Sequence, residues 1–296
     1  MVGLELQDDR AYAVALDDTG RILGRAQVTS KDLASAAASA LDGAVAAIGG
    51  AAPGLGIAAF NPESADVQAV LRALARRYAG PFLHEGAVAS GTAAAVAEAW
   101  IGAARDVRDV IFFAIAEHAS AGILRDGSPL AGAHRRAPAV GWLALNPVER
   151  EDYRKSGCLE AEVAAPGIVR RLVWRIKAGD HSRVQDRVDG ELAAITVDHV
   201  LEAARQGDGV AISVVRDTAK YVGMAAANLV VVADPGVLVL GGIVATAADL
   251  LLELVRSEIA RRLPPAMMQA LTIAPAALGA EGAAIGAAKL AAPALQ

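Results

Sequence analysis

Glu117 and His118 stand side by side between two apolar runs, Val110 to Ala116 and Ala121 to Leu124. A carboxylate beside an imidazole can act as a hydrogen-bonded acid–base pair, although titratable groups in turns serve structure more often than chemistry. Asp8 and Asp9 close the first apolar run and put two negative charges in one tight turn. Two unit charges about 4 Å apart repel by about 4 kcal/mol at an effective dielectric near 20, so such a turn opposes an anionic ligand. Cys158 is the one cysteine, which excludes an internal disulfide and suits a reducing, cytoplasmic setting. His134-Arg135-Arg136 is the densest basic run, short enough to read as a solvated loop. With a net charge of −5, the chain lacks the concentrated basic field that a nucleic-acid surface needs.

The 296 residues suffice for one large or two medium units with a buried core. Hydrophobic content is 54% and mean hydropathy +0.38, much of it from alanine. The longest apolar stretch, Tyr221 to Ala248, is cut by Asp234-Pro235-Gly236 into halves shorter than the roughly 20 residues of a membrane span. No basic-then-apolar leader follows Met1, so neither a signal peptide nor a membrane partner is expected.

The elements that must hold these groups begin with three short strands, Val2 to Leu6, Tyr12 to Leu16 and Ile22 to Val28, with Asp17-Asp18-Thr19-Gly20 turning the chain between the last two. Ser30 is read as the cap of a helix from Lys31 to Ile48. Gly54 to Phe60 suits a buried parallel strand, and Ala65 to Tyr78 an amphipathic helix. A strand near Pro81 to Val88 then leads into an alanine-rich helix, Gly91 to Gly102. The pattern restarts with strands at Val110 to Ala116, Ala121 to Leu124 and Val140 to Leu145, a helical tract, and a last buried strand, Val237 to Leu240. Ile212, Val215, Ala219, Val222, Ala226 and Leu229 recur at helical spacing and read as core. Two rounds of antiparallel strands followed by alternating helices and strands indicate a duplicated α/β domain.

Local runs narrow the class. Asn228 to Gly242, with its Asp234-Pro235 turn, apolar strand and Gly241-Gly242 pair, resembles the ROK family of bacterial sugar kinases and sugar-responsive repressors. Ala95 to Trp100, Ser156-Gly157-Cys158-Leu159-Glu160 and Gly279 to Ala288 resemble further landmarks of that family, in the same order along essentially the whole chain. The resemblance implies an actin-like (ribonuclease H-like) α/β fold of two lobes, the ATPase/sugar-kinase architecture. Its N-terminal lobe would cover 1–105, with the terminal helix of 280–296 packing back on it, and its C-terminal lobe 106–279. It also implies sugar and ATP as ligands, an aspartate base, a structural zinc and, commonly, a homodimer.

Residue by residue, the chemistry of that family is replaced. Its glycine-rich first phosphate turn falls on Glu5-Leu6-Gln7-Asp8-Asp9, and its second on Ala116-Glu117-His118-Ala119-Ser120, where Ser120 alone keeps a small donor. The base position holds Ser90, too weak an acid to act unaided; Glu85 or His84 could stand in if the strand end were remodelled. Otherwise Ser90 and Thr92 read as helix caps. The zinc ligands fall on Trp142, Glu151, Tyr153 and Cys158, so no zinc is expected and Trp142 is read as packing filler. Glu160 matches a sugar-contacting glutamate, and Asn61, in the Phe60-Asn61-Pro62 turn, is a candidate for a hydroxyl. Asn61, Ser90, Thr92 and Glu160 are thus the ligand candidates, and Ser120, Gly241 and Gly242 the nucleotide-side candidates, with no catalytic or metal residue assigned. The expectation is a catalytically inactive relative that binds a sugar or metabolite, or regulates, with no cofactor. The alternatives are a sugar kinase with a rewired site, which would need ATP and magnesium, and the effector-binding part of a ROK-type regulator.

Overall fold

The computed structural model describes residues 1–50, 54–78 and 86–292. The chain divides into two compact units, one of residues 1–112, 121–131 and 276–296, the other of 113–120 and 132–275. The fold is actin-like, two-lobed α/β.

In the first unit, β1 (Val2–Leu6), β2 (Arg10–Leu16) and β3 (Ile22–Thr29) form an antiparallel meander. Then come α1 (Leu33–Ala46), β4 (Leu55–Ala59), α2 (Ala65–Arg77), β5 (Val88–Ala89) and α3 (Ser90–Ile101). The strand order is β3-β2-β1-β4-β5, with β1, β4 and β5 parallel. The cap of α1 is Asp32 and not Ser30: the Asp32 carboxylate accepts from the amides of Ala34 and Ser35, while Ser30 Oγ accepts from the Asp32 amide. A carboxylate is the better partner for the positive end of a helix. Of the strand expected over Pro81 to Val88, Val88 pairs with Ala58; the positions before residue 86, His84 and Glu85 included, lie outside the described residues.

A second five-stranded sheet has the order β10-β9-β6-β7-β8, from β6 (Val110–Ile115), β7 (Ala119–Arg125), β8 (Ser128–Pro129), β9 (Val237–Gly242) and β10 (Thr272–Pro275). Read from β8, this repeats the first sheet strand for strand, so the duplication is topological. The third strand of the repeat is the two-residue β8, not Val140 to Leu145; Val140–Trp142 is a single 3-10 turn. Between β8 and β9 lie α4 (Glu151–Ser156), α5 (Cys158–Val163), α6 (Ala165–Lys177), α7 (Val184–Arg187), α8 (Val197–Arg205) and α9 (Gly209–Ala233). After β9 come α10 (Ile243–Thr246), α11 (Ala248–Ala260), α12 (Pro265–Ala270), β10 and α13 (Gly282–Ala291). The stripe read on α9 is largely buried, from Val215 through Leu229. The helix stops at Asp234, in the left-handed region at φ 45°, because Pro235 disfavours a helical residue before it. Among the described residues no helix is long and apolar enough to cross a membrane.

Helix α13 packs on α3, β1 and β4 with backbone nearly touching backbone. A Cβ at Gly3 would lie 1.8 Å from the Ala284 carbonyl oxygen, one at Gly56 1.8 Å from that of Ala287, and one at Gly286 1.7 Å from that of Ala93. The residues between are alanines with no exposed surface, such as Ala284, Ala287 and Ala288, which accounts for an apolar composition so poor in aromatics. Gly56→Ala is expected to cost about 1–3 kcal/mol or more in urea unfolding, the usual penalty of overpacking. Gly209→Ala, whose Cβ meets nothing within 4 Å at the start of α9, should leave the midpoint unchanged or higher.

Candidate functional site

Parallel pairing puts Leu6 opposite Ala59 and Ala59 opposite Ala89. The next residues, Gln7, Phe60 and Ser90, therefore leave the sheet together at the carboxyl ends of β1, β4 and β5, the edge where open α/β sheets collect ligands. Asn61 lies here, exposed, with Oδ1 accepting from the Glu63 amide at 3.3 Å and its carbonyl from the Ser64 amide at 3.1 Å. Those bonds shape the turn into α2, whose cap is Ser64.

Ser90 and Thr92 do not cap α3. The cap position is Ala89, without a side-chain bond, and Ser90 is the first helical residue, with Thr92 half-buried in the same turn. The reason is close packing: a Cβ at Gly91 would lie 2.3 Å from the Ala121 carbonyl oxygen and one at Gly122 2.2 Å from that of Gly91, so α3 begins flush against β7. Ser90 Oγ is enclosed and faces the Glu5 carboxyl without completing a hydrogen bond of normal geometry. Glu5 is 7% exposed and accepts from Gln7 Nε2 at 3.1 Å. Burial pushes its carboxyl above the ordinary range, with Ser90, Gln7 and Arg10 pulling the other way.

In the second unit, the turn 116–118 is held by the protein itself. Ala116 accepts from the Ala165 amide at 2.8 Å, and its own amide donates to the His118 carbonyl at 2.9 Å. The carboxylate that holds His118 is Glu160 rather than the exposed neighbour Glu117: Glu160 Oε1 lies 2.7 Å from His118 Nδ1, and Oε2 accepts from the Ala119 amide at 2.6 Å. The Ala119 amide is thus taken up by a side-chain carboxyl of the protein itself. Ser120 is half-buried on β7, and Gly241 is buried in β9. Gly242 ends β9 at φ 61°, where a Cβ would lie 1.9 Å from the Ile115 carbonyl oxygen; strand contact accounts for that glycine.

Trp142 does not fill the loop interior; it is 59% exposed. A Cβ at Gly157 would sit 2.2 Å from the Gly141 carbonyl oxygen, so the turn lies directly on α5 and leaves no room for an indole beneath. Tyr153, Cys158, Ala161 and Leu145 fill that interior instead. The Tyr153 hydroxyl donates to Glu162, which is 5% exposed and also pairs with Arg150 at 3.1 Å and Arg171 at 2.8 Å. Burial, then the Glu162 bond and charge, push the Tyr153 phenol far up, so it stays a donor. Sequence reasoning missed both Glu5 and this network. Its signal was present: two carboxylates in the apolar run Cys158 to Ala165 must find cationic or hydrogen-bonding partners if that run is buried. His134, Arg135 and Arg136 are exposed, as a solvated loop should be.

Two outcomes are expected. Glu162→Ala leaves the partly buried Arg171 beside no carboxylate, though still bonded to Thr218, and should lose about 2–4 kcal/mol in denaturant unfolding. Glu5 titrates higher folded than unfolded, so its contribution is complete below the ordinary carboxylate range and is lost as pH rises through the folded value. Glu5→Gln should therefore raise the thermal midpoint at about pH 8, and the gain should vanish by about pH 4, where both states carry a neutral carboxyl.

A family model described as the ROK family matches residues 59–294. The glucokinase of Halalkalibacterium halodurans is 29% identical over 196 residues, 65% of this chain and 59% of that protein. The transcriptional repressor Mlc of Escherichia coli is 27% identical over 194 residues, 65% of this chain and 46% of the repressor. The matched segment thus spans about half the length of these curated relatives. Over whole folds, the structure of a ROK family glucokinase from Streptomyces griseus, in complex with glucose and AMPPNP, superposes with a TM-score of 0.82 at 24% identity, covering 98% of both chains.

Proposed function

This chain belongs to the ROK family, and from that premise we propose that it binds a sugar or sugar-like metabolite without phosphorylating it and acts as a regulatory protein. The observation that carries the reading is the closure of the second hairpin turn by Glu160, which puts a carboxylate on the Ala119 amide. A polyphosphate approaching that amide would have to displace a charge-assisted bond and face the displaced charge. Two further features support it. Asp8 and Asp9 replace glycines in the first hairpin turn. The base position holds Ser90, its hydroxyl and the neighbouring Glu5 both enclosed, whereas a base must come within about 3 Å of the hydroxyl it deprotonates.

Sugar recognition rests on different groups. A carboxylate offers about four acceptor positions, and Glu160 gives two of them to His118 and Ala119. Within the first unit, Asn61 and Thr92 are polar groups at the sheet edge, a set of their own. No cofactor or zinc enters this reading; Tyr153 and Glu162 brace the loop that a metal would otherwise hold. A second reading, the effector-binding part of a longer regulator, is favoured by the match to Mlc, which covers less than half of that repressor.

Thermal-shift titration with glucose, N-acetylglucosamine, xylose and fructose, alongside an ADP-release assay with magnesium and ATP, tests the proposal. One sugar should stabilise the chain saturably, Glu160→Gln should abolish that shift, and ADP release should stay at the no-sugar background. Sugar-dependent ADP release would overturn it. EDTA should leave the midpoint unchanged; a fall restored by zinc would contradict the metal-free brace.

A further inference from the structure

The second unit carries a cavity of about 410 Å³ on the side of α5 away from Glu160. Glu160 and Glu162 are two residues apart on that helix, about 200° around its axis; one faces His118 and the other the cavity. The volume lies within the roughly 300–1,000 Å³ of small-molecule pockets.

The chemistry of the walls is specific. Three cations, Arg150, Arg171 and Lys220, and two carboxylates, Glu162 and Asp217, line the cavity, leaving one net positive charge. Arg171 and Arg150 are already paired with Glu162, and Arg150 also with Asp152. Lys220 and Asp217 are different: both are exposed on α9, and among the described residues neither side chain forms a hydrogen bond or an ion pair. Two neutral polar groups, Asn146 and Tyr221, also line the cavity, the Asn146 amide donating to the Tyr221 hydroxyl at 3.4 Å. That bond uses a lone pair of the phenol and leaves its proton to donate. Burial, then the Glu162 charge, raise the Tyr221 phenol, which keeps it protonated.

A ligand that satisfies these walls needs one acidic group for Lys220 and the Arg150 edge. It also needs groups that both donate to Asp217 and accept from Tyr221, which hydroxyls do in a single atom. A simple anion would leave Asp217 facing like charge. A neutral sugar would leave Lys220 without a counter-charge. A phosphate dianion would exceed the single net positive charge while sitting near two carboxylates. We infer that this cavity is a binding site for a hydroxylated monocarboxylate, a sugar acid of the uronate or aldonate class, held by Lys220, Asp217 and Tyr221. This site is separate from the one proposed above and does not depend on it.

The test is calorimetric titration of the full chain with D-glucuronate and D-gluconate, beside glucose, glucose 6-phosphate and acetate. At least one of the two acids should bind saturably at millimolar concentration, more weakly at high salt. Lys220→Ala and Asp217→Asn, both surface changes, should each weaken that binding about tenfold or more, the scale of a charge-assisted hydrogen bond, with unaltered thermal midpoints in the absence of ligand. No saturable binding of either acid below about 50 mM would overturn the assignment, as would equal binding of acetate or glucose 6-phosphate. Affinity that survives Lys220→Ala would place the acid elsewhere and equally overturn it.

Discussion

Backbone packed directly on backbone is the constraint from which the first unit is built. Where α13 crosses β1, β4 and α3, most of the side chains between the elements are the methyls of alanines, and at Gly3, Gly56 and Gly286 not even a methyl fits. The same device recurs where Gly91 and Gly122 seat the start of α3 on β7. Apolar surface buried this way comes from many alanines rather than a few large residues, and it tolerates no increase in volume. Helix starts and strand ends are consequently fixed, and the row Gln7, Phe60, Ser90 occupies one edge.

The second unit depends on a different balance, that of buried charge. Glu160 and Glu162 lie on one short helix, each less than a tenth exposed. Each is tolerable only because donors surround it: His118 and the Ala119 amide for the first, Tyr153, Arg150 and Arg171 for the second. The first set closes a hairpin turn. The second holds the loop from Val140 to Ser156 against α6 and α9.

Much of the architecture was legible in the residues. The first three strands, the Asp234-Pro235 helix stop and the α9 stripe follow from turn chemistry and periodicity, which are local. The third strand of the repeat was not, because β8 is two residues long and carries no pattern, whereas the more apolar Val140 to Leu145 imitates a strand. Strand β10 was also unread: four residues ending in Pro275 offer little alternation, and they pair only because β9 lies alongside. At the site, the residue types in the two hairpin turns and at Ser90 were readable by position. The partners of Glu160 and Glu162 were not, since 42 residues separate Glu160 from His118. The fate of Trp142 turned on a glycine-to-glycine contact that no local pattern encodes.

The central claim is that both hairpin turns have ceased to receive a polyphosphate while the scaffold around them is intact. Fluorescence titration of the chain with a methylanthraniloyl derivative of ATP, in excess magnesium, addresses it most directly. Closure of the Ala119 amide by Glu160 predicts no saturable change up to about millimolar nucleotide, with or without sugar. Saturable binding in the micromolar range, competed by unlabelled ATP, would contradict it.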